Sequence, residues 1–267
     1  MYNLSYPESK LQFGPGHERK GNDFRIISSS PNIGNNYDTL IFTDSKGSCI
    51  ENKVVCWTDK LIEEFKSENK TFLFISRPKD MTTFITLINF LDLNMISFKN
   101  LITNVGYADL TPSKFSFIED IKKQILNTKY DLNLIPKELE KYKLSTGFHE
   151  ILYSYNFGKI ENLISNYLNN KFENVVLLGT MLFSKKINLK RNRPNSFYKK
   201  LKESNDYIKK ICSYNQNIIF FNPIPNQNSK FKNYAHDGVH FTSEGHNLFF
   251  KKFVTYLKQD DIRYFKK

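Results

Sequence analysis

Three of the five histidines in this chain lie in one short segment near the C-terminus, between His236 and His246. Within it, Asp237 precedes His240 by three residues, and Gly238 between them allows a tight backbone turn. A Ser or Cys nucleophile is weak at neutral pH until a neighbouring base takes its proton, and a carboxylate fixes the tautomer of that base. One Asp-x-x-His turn supplies both groups. The segment therefore predicts the base and the orienting carboxylate of nucleophilic catalysis.

The same side chains are also candidate metal ligands, because His and Asp bind ions such as Zn²⁺. The sequence holds no further cluster of Cys, His or carboxylate residues at the end of a predicted strand. The catalytic interpretation is therefore preferred, and no metal site is predicted. His246 falls on the last predicted helix, where packing is its expected role.

Ser45 is the candidate nucleophile. It follows a short apolar run, residues 39–43, of the kind that is buried in parallel sheets, and it precedes a predicted helix. An Asp-Ser pair in this position is by itself more often a helix cap than a nucleophile. At a strand-to-helix turn, however, the backbone N–H of Ser45 is available to an oxyanion, since helix N-termini favour negative charge.

Apolar runs alternate with helical patterns along the chain, which indicates βαβ crossovers and a mostly parallel five-stranded sheet with helices on both faces. The predicted strands are residues 39–43, 71–75, 100–105, 174–178 and 217–221. In such sheets the site lies at the carboxyl ends of the strands. The polar candidates all fall at or after these ends: Asp44, Ser45, Arg77, Asn104, Gly106, Asp237 and His240.

No repeat or Gly-rich linker divides the chain, so residues 39–267 are predicted to form a single α/β domain. Residues 1–38 are rich in Gly, Pro, Ser and Asn. They are expected to form an irregular N-terminal extension with one short strand near residues 24–27. Residues 128–158 show no clear period and are expected to form a mostly helical insertion over the core.

The composition of the 267-residue chain is that of a folded protein, with 40% hydrophobic residues and 24 Phe. Its formal charge of +12 indicates either a lysine-rich solvated surface or an anionic partner, such as an acidic glycan, a nucleotide-sugar, nucleic acid or a membrane surface. The solvated surface is preferred because the lysines are scattered. No specific nucleic acid is expected, since the sequence shows no recognisable nucleic-acid-binding module.

Three cysteines without a Cys-x-x-Cys pair favour a reducing compartment over a disulfide scaffold. The N-terminal residues lack the basic and apolar regions of a signal peptide, and no window approaches the ~20 apolar residues of a membrane span. A cytoplasmic location without a membrane span is therefore expected, and the oligomeric state is left open.

The order of these groups resembles that of the SGNH/GDSL hydrolase family. Residues 43–45, Thr-Asp-Ser, are similar to its first block, Gly-Asp-Ser, and residues 237–240 with the Gly five positions later are similar to its last block. The resemblance implies a three-layer α/β/α, flavodoxin-like fold with Ser45 as nucleophile, His240 as general base and Asp237 as its orienter. It further implies an esterase or acyltransferase for a small acyl ester, such as an O-acetyl group of a carbohydrate, and no cofactor.

The middle blocks depart from the family's pattern. After the second strand, where the family has an oxyanion-binding Gly, this chain has Ser76 and Arg77. Ala108 takes the place of the third-block Asn that follows Gly106, and loss of such a donor typically lowers turnover by ~10²–10³. Arg77 and Asn104, which faces the same side of the strand as Gly106, are the candidate replacements. The alternative is a catalytically weakened protein that binds an anionic glycan or nucleotide-sugar in the same crevice.

Overall fold

The computed structural model describes residues 18–20, 25–31, 36–47, 54–76, 83–94, 96–104, 140–143, 149–152, 161–179, 195–222, 235 and 240–259. The strands are β1 (Glu18–Lys20), β2 (Arg25–Ser28), β3 (Asn36–Thr43), β4 (Phe72–Ser76), β5 (Ser97–Thr103), β6 (Glu140–Lys143), β7 (His149–Leu152), β8 (Asn174–Leu178) and β9 (Ile218–Phe221). The helices are α1 (Trp57–Ser67), α2 (Phe84–Leu93), α3 (residues 161–171, π-helical in its middle), α4 (Asn195–Tyr214) and α5 (Ser243–Gln259).

Seven strands form one sheet in the order β1-β2-β4-β3-β5-β8-β9. The run from β4 to β9 is parallel throughout and has the strand order of a flavodoxin-like sheet. These are the strands that the apolar runs predicted, and the three-layer α/β/α fold class is confirmed. The predicted total of five strands is wrong, because β2 and β1 add antiparallel pairing along the free edge of β4.

β1 and β2 come from the segment expected to be irregular. β2 lies at the position of the short strand expected there, and its Ile26 and Ile27 are buried in the core on opposite faces of the sheet. β1 consists of Glu, Arg and Lys only. A strand without apolar residues has no hydrophobic period, so its pairing with β2 is not visible in the sequence.

Successive residues of a strand point to opposite faces of the sheet, and both faces are buried. On β3, Leu40 and Phe42 belong to one apolar core, which includes residues of α2, α3 and the second half of α4. Ile41 belongs to the other core, which includes residues of α1, α5 and the first half of α4. Helices therefore enclose the sheet from both sides and hold its strand ends in place.

Within residues 128–158, the structure describes only β6 and β7, which pair antiparallel as a separate two-stranded sheet. These eight residues form paired strands and not part of the predicted, mostly helical insertion. Four-residue strands of mixed polar and apolar residues are too short for an alternating pattern to be recognised. The rest of the segment lies outside the described residues.

The cysteines do not follow the expectation drawn from their spacing. Cys56, directly before α1, is disulfide-bonded. Cys212 is a buried free thiol, and burial raises its pKa to about 12. A disulfide counts against a reducing compartment. Separately, in the part of the chain that the structure describes, no helix has both the length and the apolar character of a membrane crossing.

Candidate active site

The carboxyl ends of β4, β3 and β5 lie side by side at one edge of the sheet. Thr43 at the end of β3 pairs with Ser76 at the end of β4, and Phe42 pairs with Thr103 at the end of β5. Residues that follow these strands therefore meet. A short 3-10 turn, Ser45–Gly47, leaves β3 at this edge and is called the nucleophile turn below.

Ser45 and His240 are brought together here although 195 residues separate them in the sequence. Ser45 Oγ lies 3.2 Å from Nε2 of His240, which is hydrogen-bonding distance, and both residues are partly exposed. With Nε2 unprotonated, the imidazole accepts the hydroxyl proton, which is the contact that a nucleophile and its base need. Partial exposure leaves the pair accessible to a substrate.

His240 is placed by the start of α5. Thr242 caps this helix, because its hydroxyl accepts a hydrogen bond from the backbone N–H of Gly245 at 3.1 Å. Phe241 is buried, and its ring centroid lies 5.2 Å from that of His246. The cap and this ring contact anchor the residues that follow His240 to the protein core.

Asp44, the residue before Ser45, is hydrogen-bonded through its backbone and its carboxylate. Its N–H donates to Oδ1 of Asn104, and its own Oδ1 accepts from Nδ2 of Asn104, each at 2.8 Å. The same carboxylate oxygen accepts from the N–H of Lys46 at 2.8 Å. The Asp44 carbonyl accepts from the Ser76 hydroxyl at 3.3 Å and from the N–H of Gly47 at 3.0 Å. These bonds fix the backbone on which Ser45 sits.

Lys46, directly after Ser45, is buried with Asp44 as an ion pair. Its Nζ lies 3.2 Å from Oδ2 of Asp44, and the two side chains are only 6% and 5% exposed. Removing one partner of a buried pair leaves an uncompensated charge and is strongly destabilising. Asp44 is therefore needed for the folded turn itself. The sequence did not reveal this pair, because lysines are almost always exposed.

Helix α1 holds the carbonyl groups of the nucleophile turn. The indole Nε1 of Trp57 donates to the carbonyl of Lys46 at 3.0 Å, and the hydroxyl of Thr58 donates to the carbonyl of Gly47 at 2.5 Å. The backbone N–H of Trp57 in turn donates to Nδ1 of His246 at 3.3 Å. The nucleophile turn and the first turn of α5 are therefore joined through the first turn of α1.

His246 packs on α5 as the sequence predicted, but its contact with α1 was missed. The side chain is 3% exposed. Burial lowers its pKa from 6.5 to about 4; the charge of Asp59 opposes this shift to a smaller extent, and the charges of His240 and Lys60 add to it. The ring is therefore neutral at physiological pH, and because Nδ1 accepts from the N–H of Trp57, the ring proton lies on Nε2.

Gly47 has no room for a side chain. A Cβ at this position would lie 2.3 Å from Oγ1 and 2.4 Å from Cβ of Thr43. Thr43 stands where the SGNH/GDSL first block has Gly, and its buried side chain fills the space beside the turn. The side chain of Thr43, which replaces the family's Gly, thus fits here because residue 47 has no side chain.

Four of the predicted site residues meet at this edge: Asp44, Ser45, Asn104 and His240. Three others lie outside the described residues: Arg77, Gly106 and Asp237. The catalytic roles of all these residues stay predictions. His236 and Ala108 are also outside, and among the residues that are described no group of three or more His, Cys, Asp or Glu could hold a metal ion.

No protein-family model matches the sequence, and a comparison with curated proteins finds no match either. Solved structures do match. The acetylxylan esterase Axe2 from Geobacillus stearothermophilus is 10% identical with a TM-score of 0.51, over 85% of this chain and 97% of that chain. A variant of the same esterase gives 10% identity and a TM-score of 0.51, over 85% and 96%. A protein assigned as a GDSL-like lipase from Parabacteroides merdae gives 12% identity and a TM-score of 0.49, over 85% and 97%.

At identities this low the similarity concerns the fold alone. It covers most of this chain and nearly the whole length of the esterase. The parallel sheet, its strand order and the layers of helices on both faces agree with the expectation drawn from the sequence blocks. The chain therefore has the fold of the SGNH/GDSL hydrolases.

Proposed function

We propose that this chain is a serine esterase of SGNH type, in which Ser45 is the nucleophile, His240 the general base and Asp237 the residue that orients the base. The observation that carries the proposal is the 3.2 Å separation between Ser45 Oγ and His240 Nε2 at the carboxyl edge of the sheet. A proton passes between two groups only when they come within hydrogen-bonding reach.

In the first half of the reaction, Ser45 Oγ attacks the carbonyl carbon of the ester while its proton passes to Nε2 of His240. The backbone N–H of Ser45 stabilises the oxyanion that forms. This N–H is the first of the 3-10 turn, and the first N–H groups of a helical turn have no acceptor within it. The bond to the alcohol then breaks, the alcohol takes the proton from His240, and an acyl-enzyme remains on Ser45.

In the second half, water attacks the acyl carbonyl and gives a proton to His240. The free acid leaves, and the proton returns to Ser45 Oγ. A sugar hydroxyl in place of water would make the same site an acyltransferase. Acetate release in water, compared with acetyl transfer to an added oligosaccharide, distinguishes the two activities.

The proposed substrate is a small acyl ester, namely an O-acetyl group of a carbohydrate. The protein of similar fold with a TM-score of 0.51 is named an acetylxylan esterase. A net charge of +12, even where it is spread over a solvated surface, suits an acidic carbohydrate better than a neutral one. We expect faster acetate release from an O-acetylated uronic-acid oligosaccharide than from an O-acetylated xylo-oligosaccharide, with a preference that falls as salt is added. Equal rates at low salt would contradict the acidic substrate.

The test of the esterase itself is p-nitrophenyl acetate hydrolysis by purified protein. Ser45→Ala is expected to lower kcat by about 10³-fold or more, since the covalent route is lost. Ser213→Ala, an exposed serine on α4, is the matched control and should leave kcat unchanged. A fluorophosphonate should label the wild type and Ser213→Ala but not Ser45→Ala. Turnover that survives unchanged in Ser45→Ala would refute the proposal.

The alternative function, binding of an anionic glycan or nucleotide-sugar without turnover, is favoured by Ala108 in the place of an oxyanion-binding Asn. It predicts no labelling of Ser45 by the fluorophosphonate and retained binding of the glycan in the Ser45→Ala protein. The same labelling experiment therefore separates the two functions.

The cytoplasmic location stays a prediction. The disulfide at Cys56 counts against it, because cytosolic thiols are kept reduced. Quantifying reduced and oxidised Cys56 by alkylation of protein taken directly from cells would settle whether the compartment is oxidising.

A further inference from the structure

The nucleophile turn is held from both strands that flank β3. Asn104 directly follows β5, and Ser76 ends β4. Both side chains are buried, and both bond to Asp44, the residue before Ser45. The end of the central strand is therefore clamped on its two sides.

The Ser76 bond sets the direction of a catalytic group. The carbonyl of Asp44 and the N–H of Ser45 belong to one peptide, and in a trans peptide these two groups point in opposite directions. The carbonyl is held by the Ser76 hydroxyl at 3.3 Å and by the N–H of Gly47 at 3.0 Å. The direction of the Ser45 N–H, the proposed oxyanion donor, is thereby fixed as well.

Asn104 fixes Asp44 through two reciprocal bonds. Its Oδ1 accepts from the backbone N–H of Asp44 and its Nδ2 donates to the carboxylate, each at 2.8 Å. Two bonds from one planar amide hold both the main chain and the side chain of Asp44. Asn104 is only 5% exposed, and its amide group is directed at Asp44. The sequence had suggested another use, donation by Asn104 to the oxyanion itself.

We propose that Asn104, assisted by Ser76, is a positioning residue that orients the Asp44–Ser45 peptide so that the Ser45 N–H meets the oxyanion. This inference rests on the proposed esterase function. A catalytic group displaced by about 1 Å can cost ~10²-fold in rate. The hydrogen bond from the Ser45 N–H to the oxyanion forms only in the transition state. Its loss therefore lowers kcat and leaves KM nearly unchanged.

The first measurement uses Asn104→Leu, which removes both bonds at similar side-chain volume. We expect kcat for p-nitrophenyl acetate to fall about 10- to 100-fold and KM to change by less than about twofold. The kcat is expressed per Ser45 titrated to completion with a fluorophosphonate. Unfolded molecules are then not counted, so a merely structural role would leave this value unchanged.

Asn100→Leu is the matched control. Asn100 is the middle residue of β5, the strand that Asn104 directly follows, and its amide donates to the carbonyl of Asp38 at 3.1 Å. The same change of residue type is made there without touching Asp44. The per-site kcat of Asn100→Leu is expected to equal that of the wild type.

A double-mutant cycle with Asp44→Ala separates positioning from direct donation to the oxyanion. If Asn104 acts through Asp44, the effect of Asn104→Leu on kcat should shrink at least about fivefold in the Asp44→Ala background, because groups in one hydrogen-bond network are coupled. The full effect in both backgrounds would mean direct donation and would overturn the inference. If Asp44→Ala does not fold, because Lys46 loses its carboxylate partner, Asp44→Ala combined with Lys46→Met removes both charges of the buried pair and closes the cycle with the same criterion.

The esterase proposal and this inference fail in different ways. Wild-type protein without Ser45-dependent turnover would overturn both. Ser45-dependent turnover with equal per-site kcat in the wild type and in Asn104→Leu would overturn the positioning role alone.

Discussion

His246 is a buried neutral acceptor at the junction of α1 and α5. Its Nδ1 accepts from the N–H of Trp57 at 3.3 Å, and the residue is 3% exposed. Burial lowers its pKa from 6.5 to about 4, the nearby Asp59 carboxylate opposes this, and His240 and Lys60 add to it. A proton on Nδ1 would place a charge in the core and break the bond to Trp57.

The stability of the fold is therefore expected to fall as the pH is lowered. Below about pH 6.5 the unfolded chain binds a proton at residue 246 that the folded chain binds only near pH 4. The stability that depends on neutral His246 is fully present above pH 6.5 and is lost progressively toward pH 4. At ~1.4 kcal/mol for each pH unit between the two pKa values, the loss is about 3 kcal/mol. This is a large part of the ~5–15 kcal/mol by which domains are stable.

Urea unfolding at about pH 7 and about pH 4 measures this loss directly, as differences between the wild type and His246→Phe. Phe keeps an aromatic ring at the site but has no proton to gain. The wild type should lose about 3 kcal/mol more than His246→Phe between these two pH values, while groups elsewhere titrate equally in both proteins. Equal pH dependence in the two proteins would refute the reasoning.

Two further predictions concern Gly47 in the nucleophile turn and the disulfide of Cys56. Gly47→Ala is expected to lower kcat by about tenfold or more, because the added Cβ would lie 2.3 Å from Oγ1 of Thr43, and Thr43→Gly in the same chain should restore most of the loss. A double variant as slow as Gly47→Ala would contradict this packing. Reducing the Cys56 disulfide with dithiothreitol should cost about 2–4 kcal/mol of unfolding free energy in the wild type and equally in Cys212→Ser. Unchanged stability after complete reduction would contradict this.

The parallel part of the fold is predictable because its strands are continuous apolar runs. A strand covered by helices on both faces needs apolar residues at every position, and such runs stand out between polar helix starts. The predicted run 174–178 coincides with β8, and 39–43 is the second half of β3. β1, β2 and the hairpin of β6 and β7 are short and carry polar residues. Their pairing depends on partner strands and not on a local period.

The site is predictable only where topology brings its members together. Ser45 and His240 both lie at the carboxyl edge of a doubly wound sheet, so the strand order suffices to predict their contact. The contacts that hold the nucleophile turn in place do not follow from any local sequence pattern. The bond between Trp57 and His246 joins residues 189 positions apart, and the burial of Lys46 depends on a carboxylate that the turn folds back toward it. Asn104 was a candidate, but its partner was not evident before the fold was known.

The contacts that hold the nucleophile turn affect the turnover rate of the proposed esterase. The nucleophile turn is held by β4, β5, α1 and a buried ion pair, so the replacement of the first-block Gly by Thr43 does not leave Ser45 unsupported. Two departures from the family's pattern remain: Ser76 and Arg77 follow the second strand where the family has an oxyanion-binding Gly, and Ala108 stands in the place of its oxyanion-binding Asn. Loss of a side-chain donor such as this Asn typically costs ~10²–10³ in turnover, while Ser45 and His240 stay in hydrogen-bonding contact. A slow esterase with a reactive serine is the expected result. Fluorophosphonate labelling counts reactive serines and not turnovers, so it detects such an enzyme where a turnover assay alone would suggest that the site is inactive.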